Sequence, residues 1–270
     1  MKSLMTAVFV MCASVCWGGD VAQHLQDISV TIVTNQGEGS GVIKSRKINE
    51  DTINFVWTAA HVVDSLRKTR TVIDPKSGTS KTVIEFDDAT IVKSLNEEGR
   101  LVGKVEFFAE VIRFSSEEDL ALLKIRKKNF ATESVEFYLD KKLLPIGTRL
   151  FHVGSLLGQM GSNSMTNGIL SQDGRLLDKK VFTQTTVAAF PGSSGGGVYT
   201  EDGKMMGMLV RGAGETFNLV VPVRRMVDWS KKANIEWALD DNVQVPSEEE
   251  LQKLSIEDNG VEFESGKVGK

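Results

Sequence analysis

Apolar side chains recur along this chain in short runs rather than in long helical stripes. The runs at 28–33, 53–57, 82–86, 120–125, 149–153, 181–185, 204–210 and 217–221 are each bounded by glycine or acidic turns. No stretch between them keeps a strong helical period, so the pattern predicts many short strands and an all-β sandwich or pair of barrels. The rhythm changes at Pro222. From there Val223, Met226, Trp229 and Ala233 recur at three- and four-residue spacing, which predicts an amphipathic helix over about 222–234 that ends at Asn234. A proline near its start is tolerated because the first turn needs no amide donor there. Residues 235–239 alternate like a short strand, and after Asp240 the pattern thins. Ser247 and Glu250 form a capping box for about two turns of helix, followed by a polar end with no core-forming pattern. The less regular stretch 130–144 reads as the bridge between two halves.

The chain has 270 residues, of which 41% are hydrophobic and 25% charged, a balance that excludes a disordered, collagen-like or polytopic membrane protein. The formal net charge of -4 argues against a nucleic-acid partner, which would favour a basic excess. Nine acids against three lysines after residue 239 put the acidity in a tail, leaving the body close to neutral. Both cysteines, Cys12 and Cys16, fall in a segment that reads Lys2, an apolar run over 4–15, then Cys16-Trp17-Gly18-Gly19. This is a secretory signal pattern, assigned to 1–19, and its run is shorter than the roughly 20 apolar residues of a membrane span. A buried N-terminal element, a retained anchor and a lipid-modified Cys16 are the other readings of this stretch. Export to a periplasmic or extracellular space is expected, with no stable membrane span after signal removal. The fold would then be held by its core, without disulfides.

Three segments carry chemistry. His61 sits where the run at 53–57 gives way to small residues, Asp119 stands just ahead of the run at 120–125, and Ser194 lies in Pro191-Gly-Ser-Ser-Gly-Gly-Gly197. Glycines around a serine permit the tight turn that exposes its hydroxyl and lets backbone amides approach a substrate carbonyl. Each segment alone has a plain structural reading; the order His, Asp, Ser together points to nucleophilic catalysis. Ser193 and Asp64 are the alternative nucleophile and acid. Only Ser194 satisfies Gly-x-Ser-Gly-Gly, however, and Asp64 follows His61 on the same short turn. His152 is read as structural, near the surface or at the interface between the halves. Gly192-Ser-Ser-Gly-Gly196 also fits the nucleophile elbow of an α/β-hydrolase, but no histidine follows Ser194 and that order is excluded. There is no His-Glu-x-x-His pattern and no Walker lysine, so neither a metal nor another cofactor is expected.

These blocks resemble the chymotrypsin/trypsin superfamily, and within it the HtrA-type (Deg) branch. Gly39-Ser-Gly41 is similar to the family's opening Gly-Ser-Gly, Asp119-Leu-Ala-Leu-Leu-Lys124 to its aspartate block, and 146–158 with 166–171 to the strands before its nucleophile. Val220-Val-Pro-Val-Arg-Arg225 is similar to the entry into its last helix. The resemblance covers about 27–232. It implies two six-stranded antiparallel β-barrels with a C-terminal helix. The N-terminal barrel would span about 24–130 and the C-terminal barrel about 140–221, within a protease domain of 24–239. An acidic tail of 240–270 would follow.

The resemblance also implies roles. Ser194 would attack a peptide carbonyl, His61 would carry its proton, and Asp119 would hold the imidazole. The oxyanion would rest on N–H groups of the Gly192, Ser193 and Ser194 loop, chiefly those of Gly192 and Ser194. Ala188, Leu209, Val210, Arg211 and Gly212 would bind substrate, with 209–212 pairing as an added strand. No acid lies in 185–188, so a small or medium apolar residue before the cut is expected rather than a basic one. Two residues depart from the family's pattern: Ser193 stands where trypsin-like enzymes have aspartate, and Gly197, in place of a proline, is expected to add flexibility. The chain after the last helix is shorter than the PDZ domain most HtrA-type enzymes carry, so activation by such a domain is not expected. Partners implied are protein or peptide substrates, further copies of the chain, and a binder for the acidic tail. A catalytically silent trypsin-like binding or assembly module is the rival reading, and a protease limited to one partner or to its own tail is a third.

Overall fold

The protein is described by a computed structural model over residues 18–73, 78–97, 99–212 and 216–257. After a short helix α1 (Gly18–Asp27), the chain builds β1 (Ser29–Val33), β2 (Glu38–Ile48) and β3 (Asp51–Thr58) as consecutive antiparallel neighbours. Helix α2 (Ala60–Val63) and a 3₁₀ turn lead to the hairpin β4 (Arg67–Ile73) and β5 (Ser80–Phe86), a two-stranded sheet of its own. Strands β6 (Ala89–Glu97), β7 (Arg100–Ser115) and β8 (Leu120–Ile125) then close a six-stranded barrel in the order β1-β2-β3-β8-β7-β6. The second barrel uses β9 (Arg149–Leu156), β10 (Gly161–Leu177), β11 (Lys180–Thr185), β12 (Gly197–Thr200), β13 (Met205–Gly212) and β14 (Asn218–Pro222). It closes in the order β10-β11-β14-β13-β12-β9. The two-barrel, all-β expectation therefore holds, and every run read as a strand between 28 and 221 overlaps one.

Burial explains the local choices. β8 is apolar on both faces because one side fills the barrel and the other is covered, and all its residues but Lys124 are buried. β7 is exposed or half-buried over its first half, as a projecting hairpin is; Ala109 is its first buried residue, and it is buried throughout from Val111. The expected last helix is α3 (Val223–Lys232). Its stripe of Val223, Met226, Trp229 and Ala233 is buried, and Asn234 follows with a positive φ of 56°. Trp229 packs edge-on to Trp57 at 5.7 Å, and the Trp57 indole donates to Ala238 O at 2.9 Å, which docks the helix on the first barrel.

Three expectations change beyond α3. Residues 235–239 form a 3₁₀ turn (Glu236–Ala238), not a strand. Trp237 is buried edge-on against Phe55 at 4.7 Å, while the Arg46 guanidinium collects the carbonyls of Trp237, Asp240 and Val243. Arg46 thus ties the turn, through Trp237, to the segment that follows it, through Asp240 and Val243. The segment after Asp240 is not a free acidic tail either. It runs as a strap along the first barrel, held by Lys44 to Asp241 at 2.8 Å, Lys128 to Glu248 at 2.5 Å and Arg67 to Glu257 at 2.5 Å. The capping box at Ser247 is present, heading α4 (Glu248–Leu251), which is one turn rather than two. Leu251 is 3% exposed, and Phe114 N–H donates to Ile256 O at 2.6 Å. As far as Glu257, the tail's partner is the first barrel itself. Lys44 is fully buried, and burial lowers its ammonium pKa against the pull of Asp241.

Residues 1–17 of the expected leader and 258–270 of the tail lie outside the described residues; Gly18 and Gly19 open α1. No described helix is long and apolar enough to cross a membrane.

Candidate active site

His61 and Asp119 line one cavity, and Ser194 adjoins it through Val210, whose carbonyl its hydroxyl faces. His61 is carried by α2, at the exit of the buried strand β3, and its side chain remains 48% exposed. Asp119 occupies the turn into β8 with a positive φ of 56°, an uncommon conformation that aspartate tolerates better than most residues. Its carboxylate meets His61 Nδ1 at 2.9 Å and 3.1 Å and accepts the His61 backbone N–H at 3.1 Å, so ring and main chain are fixed together. Burial pushes the Asp119 pKa up, but the hydrogen bonds and charge of His61 outweigh it and hold the carboxyl below its usual range. Asp64 makes no hydrogen bond or ion pair with His61 among the described residues. The adjacent Glu118 is tied to Lys180 at 2.6 Å and to Arg225 at 2.8 Å, which anchors the Asp119 turn to β11 and α3.

Ser194 follows a tight turn. Ser193 N–H donates to Phe190 O at 2.9 Å and Gly192 has φ of 94°, with Pro191 before it. Proline then glycine at the two central positions is what a type II turn requires. The Ser193 N–H expected in the oxyanion hole is therefore spent inside this turn. The N–H groups of Gly192 and Ser194 have no acceptor among the described residues. Ser194 Oγ lies 3.4 Å from Val210 O, and no hydrogen bond joins it to His61. Such bonds are often long in unliganded sites and tighten with substrate.

Ser40, noticed only as the middle of Gly39-Ser-Gly41, organises this loop. It is fully buried, and its N–H donates to Ser194 O at 2.8 Å. Its Oγ donates to Gly192 O at 2.7 Å and accepts from Ser155 N–H at 2.8 Å. One first-barrel residue thus fixes both ends of the second-barrel loop. Gly195, with φ of 87°, lies so close to Ser40 O that a Cβ would overlap it. The sequence signal was the pair of flanking glycines, because Cβ atoms on Gly39 or Gly41 would collide with Val62 or Val56.

His152 is fully buried rather than near the surface, packed beneath Gly154 and Gly196 with Nδ1 2.9 Å from Gly197 O. Burial pushes its pKa down to about 4. Gly197, expected to add flexibility, opens the buried strand β12 and is required because a Cβ would overlap the Tyr199 ring. Of the expected substrate-contacting residues, Leu209 is a core residue of the second barrel, and Val210 is buried with its carbonyl facing Ser194. Arg211 and Gly212 are exposed, and half-buried Ala188 accepts the Thr166 hydroxyl through its carbonyl. Sequence reading missed Asn218, a fully buried carboxamide on β14 that donates to Val187 O at 2.7 Å and lies against Gly212.

Two closed six-stranded antiparallel barrels define a trypsin-like fold. The chain matches the family model for a trypsin-like peptidase domain over residues 39–208 and belongs to that family. It is 35% identical over 133 residues to a probable periplasmic serine endoprotease DegP-like of Halomonas elongata, covering 48% of this chain and 26% of that protein. It is 33% identical over 135 residues to a serine protease Do-like HtrA of Lactobacillus helveticus, covering 48% of this chain and 30% of that one. The matched stretch is thus no more than 30% of either relative's length. The similarity runs to the HtrA/DegP branch. Among solved structures, that of Deg5 superposes with a TM-score of 0.58 at 19% identity, covering 82% of this chain and 95% of the other. An inactive mutant form of Rv3671c from M. tuberculosis H37Rv gives 0.55 at 16% identity, covering 78% and 89%. At those identities the two structures speak for the fold.

Proposed function

We propose that the protein is a serine endopeptidase working through an acyl-enzyme on Ser194. The carrying observation is the His61–Asp119 pair together with a serine loop whose Gly192 and Ser194 N–H groups have no acceptor among the described residues. In this reading Asp119 fixes the Nδ1–H tautomer, leaving Nε2 to take the Ser194 proton and return it to the leaving amine. The tetrahedral oxyanion accepts the N–H groups of Gly192 and Ser194, each worth about 2.7–4 kcal/mol in the transition state. Small side chains at Ala188 and Ala189 and the neutral, buried Asn218 favour a small or medium apolar residue before the cut. The relatives named as periplasmic endoproteases, together with the leader pattern of 1–19, support export.

The Ser194 hydroxyl facing Val210 O rather than His61 is the one feature that favours the silent-module reading. Casein turnover by the parent and by Ser194→Ala separates the two. Turnover lost in the variant at unchanged melting temperature supports the endopeptidase; equal turnover in both, or none in the folded parent, refutes it.

A further inference from the structure

A cavity of about 570 Å³ opens on the His61 side of the cleft, walled by His61, Asp119, Lys179, Lys180, Arg211 and Arg225, among others. Its charges are unequally committed. Lys180 is held by Glu117 at 2.7 Å and Glu118 at 2.6 Å, Arg225 by Glu118 at 2.8 Å, and Asp119 by His61. Two cations remain. Lys179 is exposed at the tip of the β10–β11 turn, in a left-handed conformation with φ of 62°, and makes no ion pair among the described residues. Arg211, half exposed, lies 5.7 Å over the Phe182 ring. Its single ion pair among the described residues is to Asp178 at 3.4 Å, through one nitrogen and to a carboxylate 75% exposed. A guanidinium has five donors in a fixed fork, so most of those on Arg211 are free for a second carboxylate.

The register of β13 places this cation along a bound peptide. β12 pairs with β13 only as far as Met208, whereas β14 continues to Gly212. Among the described residues the β13 edge at 210–212 therefore has no strand partner on that side, and Val210 O there faces the Ser194 hydroxyl. A peptide added there as a strand alternates its side chains between faces. If the residue at the cut faces Asn218 and Ala188, the one before it faces the wall made by His61 and Arg211.

We propose that this wall is an acid-selective subsite, with Arg211 as its specificity-determining residue. The substrates would be peptides carrying Glu or Asp at the second residue on the amino side of the cleaved bond. The proposal rests on the endopeptidase reading and deepens it. A charge-assisted, two-pronged contact in a half-exposed setting should favour Glu over Gln by about tenfold.

The test uses the full-length protein and internally quenched peptides that differ only at that position: Glu, Gln, Ala or Lys. In the parent, kcat/KM should rank Glu above Gln and Ala by about tenfold, with Lys lowest. Arg211→Ala should bring the Glu-to-Gln ratio within about twofold, and Arg211→Glu should make Lys the preferred residue. Arg211 also acts on Asp119 at a distance, but that effect is common to all four peptides and cancels in the ratio. A Glu-to-Gln ratio near one in the parent, or a ratio retained in Arg211→Ala, overturns the proposal. Peptide binding to Ser194→Ala, followed by fluorescence anisotropy, reads the same subsite without turnover. Glu selectivity there in the absence of any Ser194-dependent cleavage keeps the subsite and refutes the endopeptidase. Ser194-dependent cleavage without Glu selectivity does the reverse.

Discussion

Replacing Leu251 with alanine tests whether the strap is part of the cooperative fold. Leu251 is 3% exposed in the one-turn helix α4 and belongs to the main core cluster, which Leu254 and Ile256 also touch. Truncating a buried leucine to alanine costs about 2–5 kcal/mol, the larger values arising where a sealed cavity is left. Here a cavity of about 170 Å³, lined by Val111, Lys124 and Leu251, already borders the site. Enlarging an existing opening leaves less sealed void, so the lower half of the range applies, about 2–3 kcal/mol. For a protein of this size each kcal/mol moves the melting temperature by about 2–4 °C, which gives a drop of about 4–12 °C. Differential scanning calorimetry of parent, Leu251→Ala and the exposed control Glu249→Ala measures it. The control should stay within about 0.5 kcal/mol of the parent. A Leu251→Ala shift no larger than the control's would refute the reasoning. It would mean that the strap detaches locally before the barrels melt.

Gly192→Ala should retain the fold and lose at least a hundredfold in kcat, the order expected for one oxyanion donor. Its φ of 94° and the crowding of a Cβ by Ser155 and Gly158 would displace the loop, and unchanged peptide turnover would contradict the assignment. His152 supplies a stability effect of known sign. It stays neutral in the fold down to about pH 4, whereas the unfolded chain protonates near 6.5, so its contribution is complete above pH 6.5 and disappears as pH falls to about 4. The loss approaches about 3 kcal/mol, and denaturant titrations should find His152→Gln flatter than the parent across that window.

What could be read from the sequence had local causes. Strand runs, the stripe on α3 and the glycine-flanked serine each announce themselves within a few residues, and His61, Asp119 and Ser194 follow from their immediate contexts. What could not be read depends on partners far along the chain. Ser40 matters through bonds to Ser155, Gly192 and Ser194, none of which leaves a trace around residue 40 except the two glycines. The strap has apolar anchors at Val243, Val245, Leu251, Leu254 and Ile256, which keep neither a helical nor a strand period because they follow the surface of the first barrel. Its acids read as a solvated tail, and the cations that bind them, Lys44, Arg67 and Lys128, are scattered over the first half of the chain. The alternation at 235–239 does not survive as burial, since Ala238 is buried along with Ile235, Trp237 and Leu239, and the segment is a 3₁₀ turn held by Arg46 and the Phe55 ring.

Fluorophosphonate labelling of the folded protein, followed by peptide mapping and with His61→Ala as control, tests the central claim most directly. Modification of Ser194 that is lost in the control is the predicted result. No modification of the folded parent, or equal modification in the control, would contradict a working His61–Asp119–Ser194 triad.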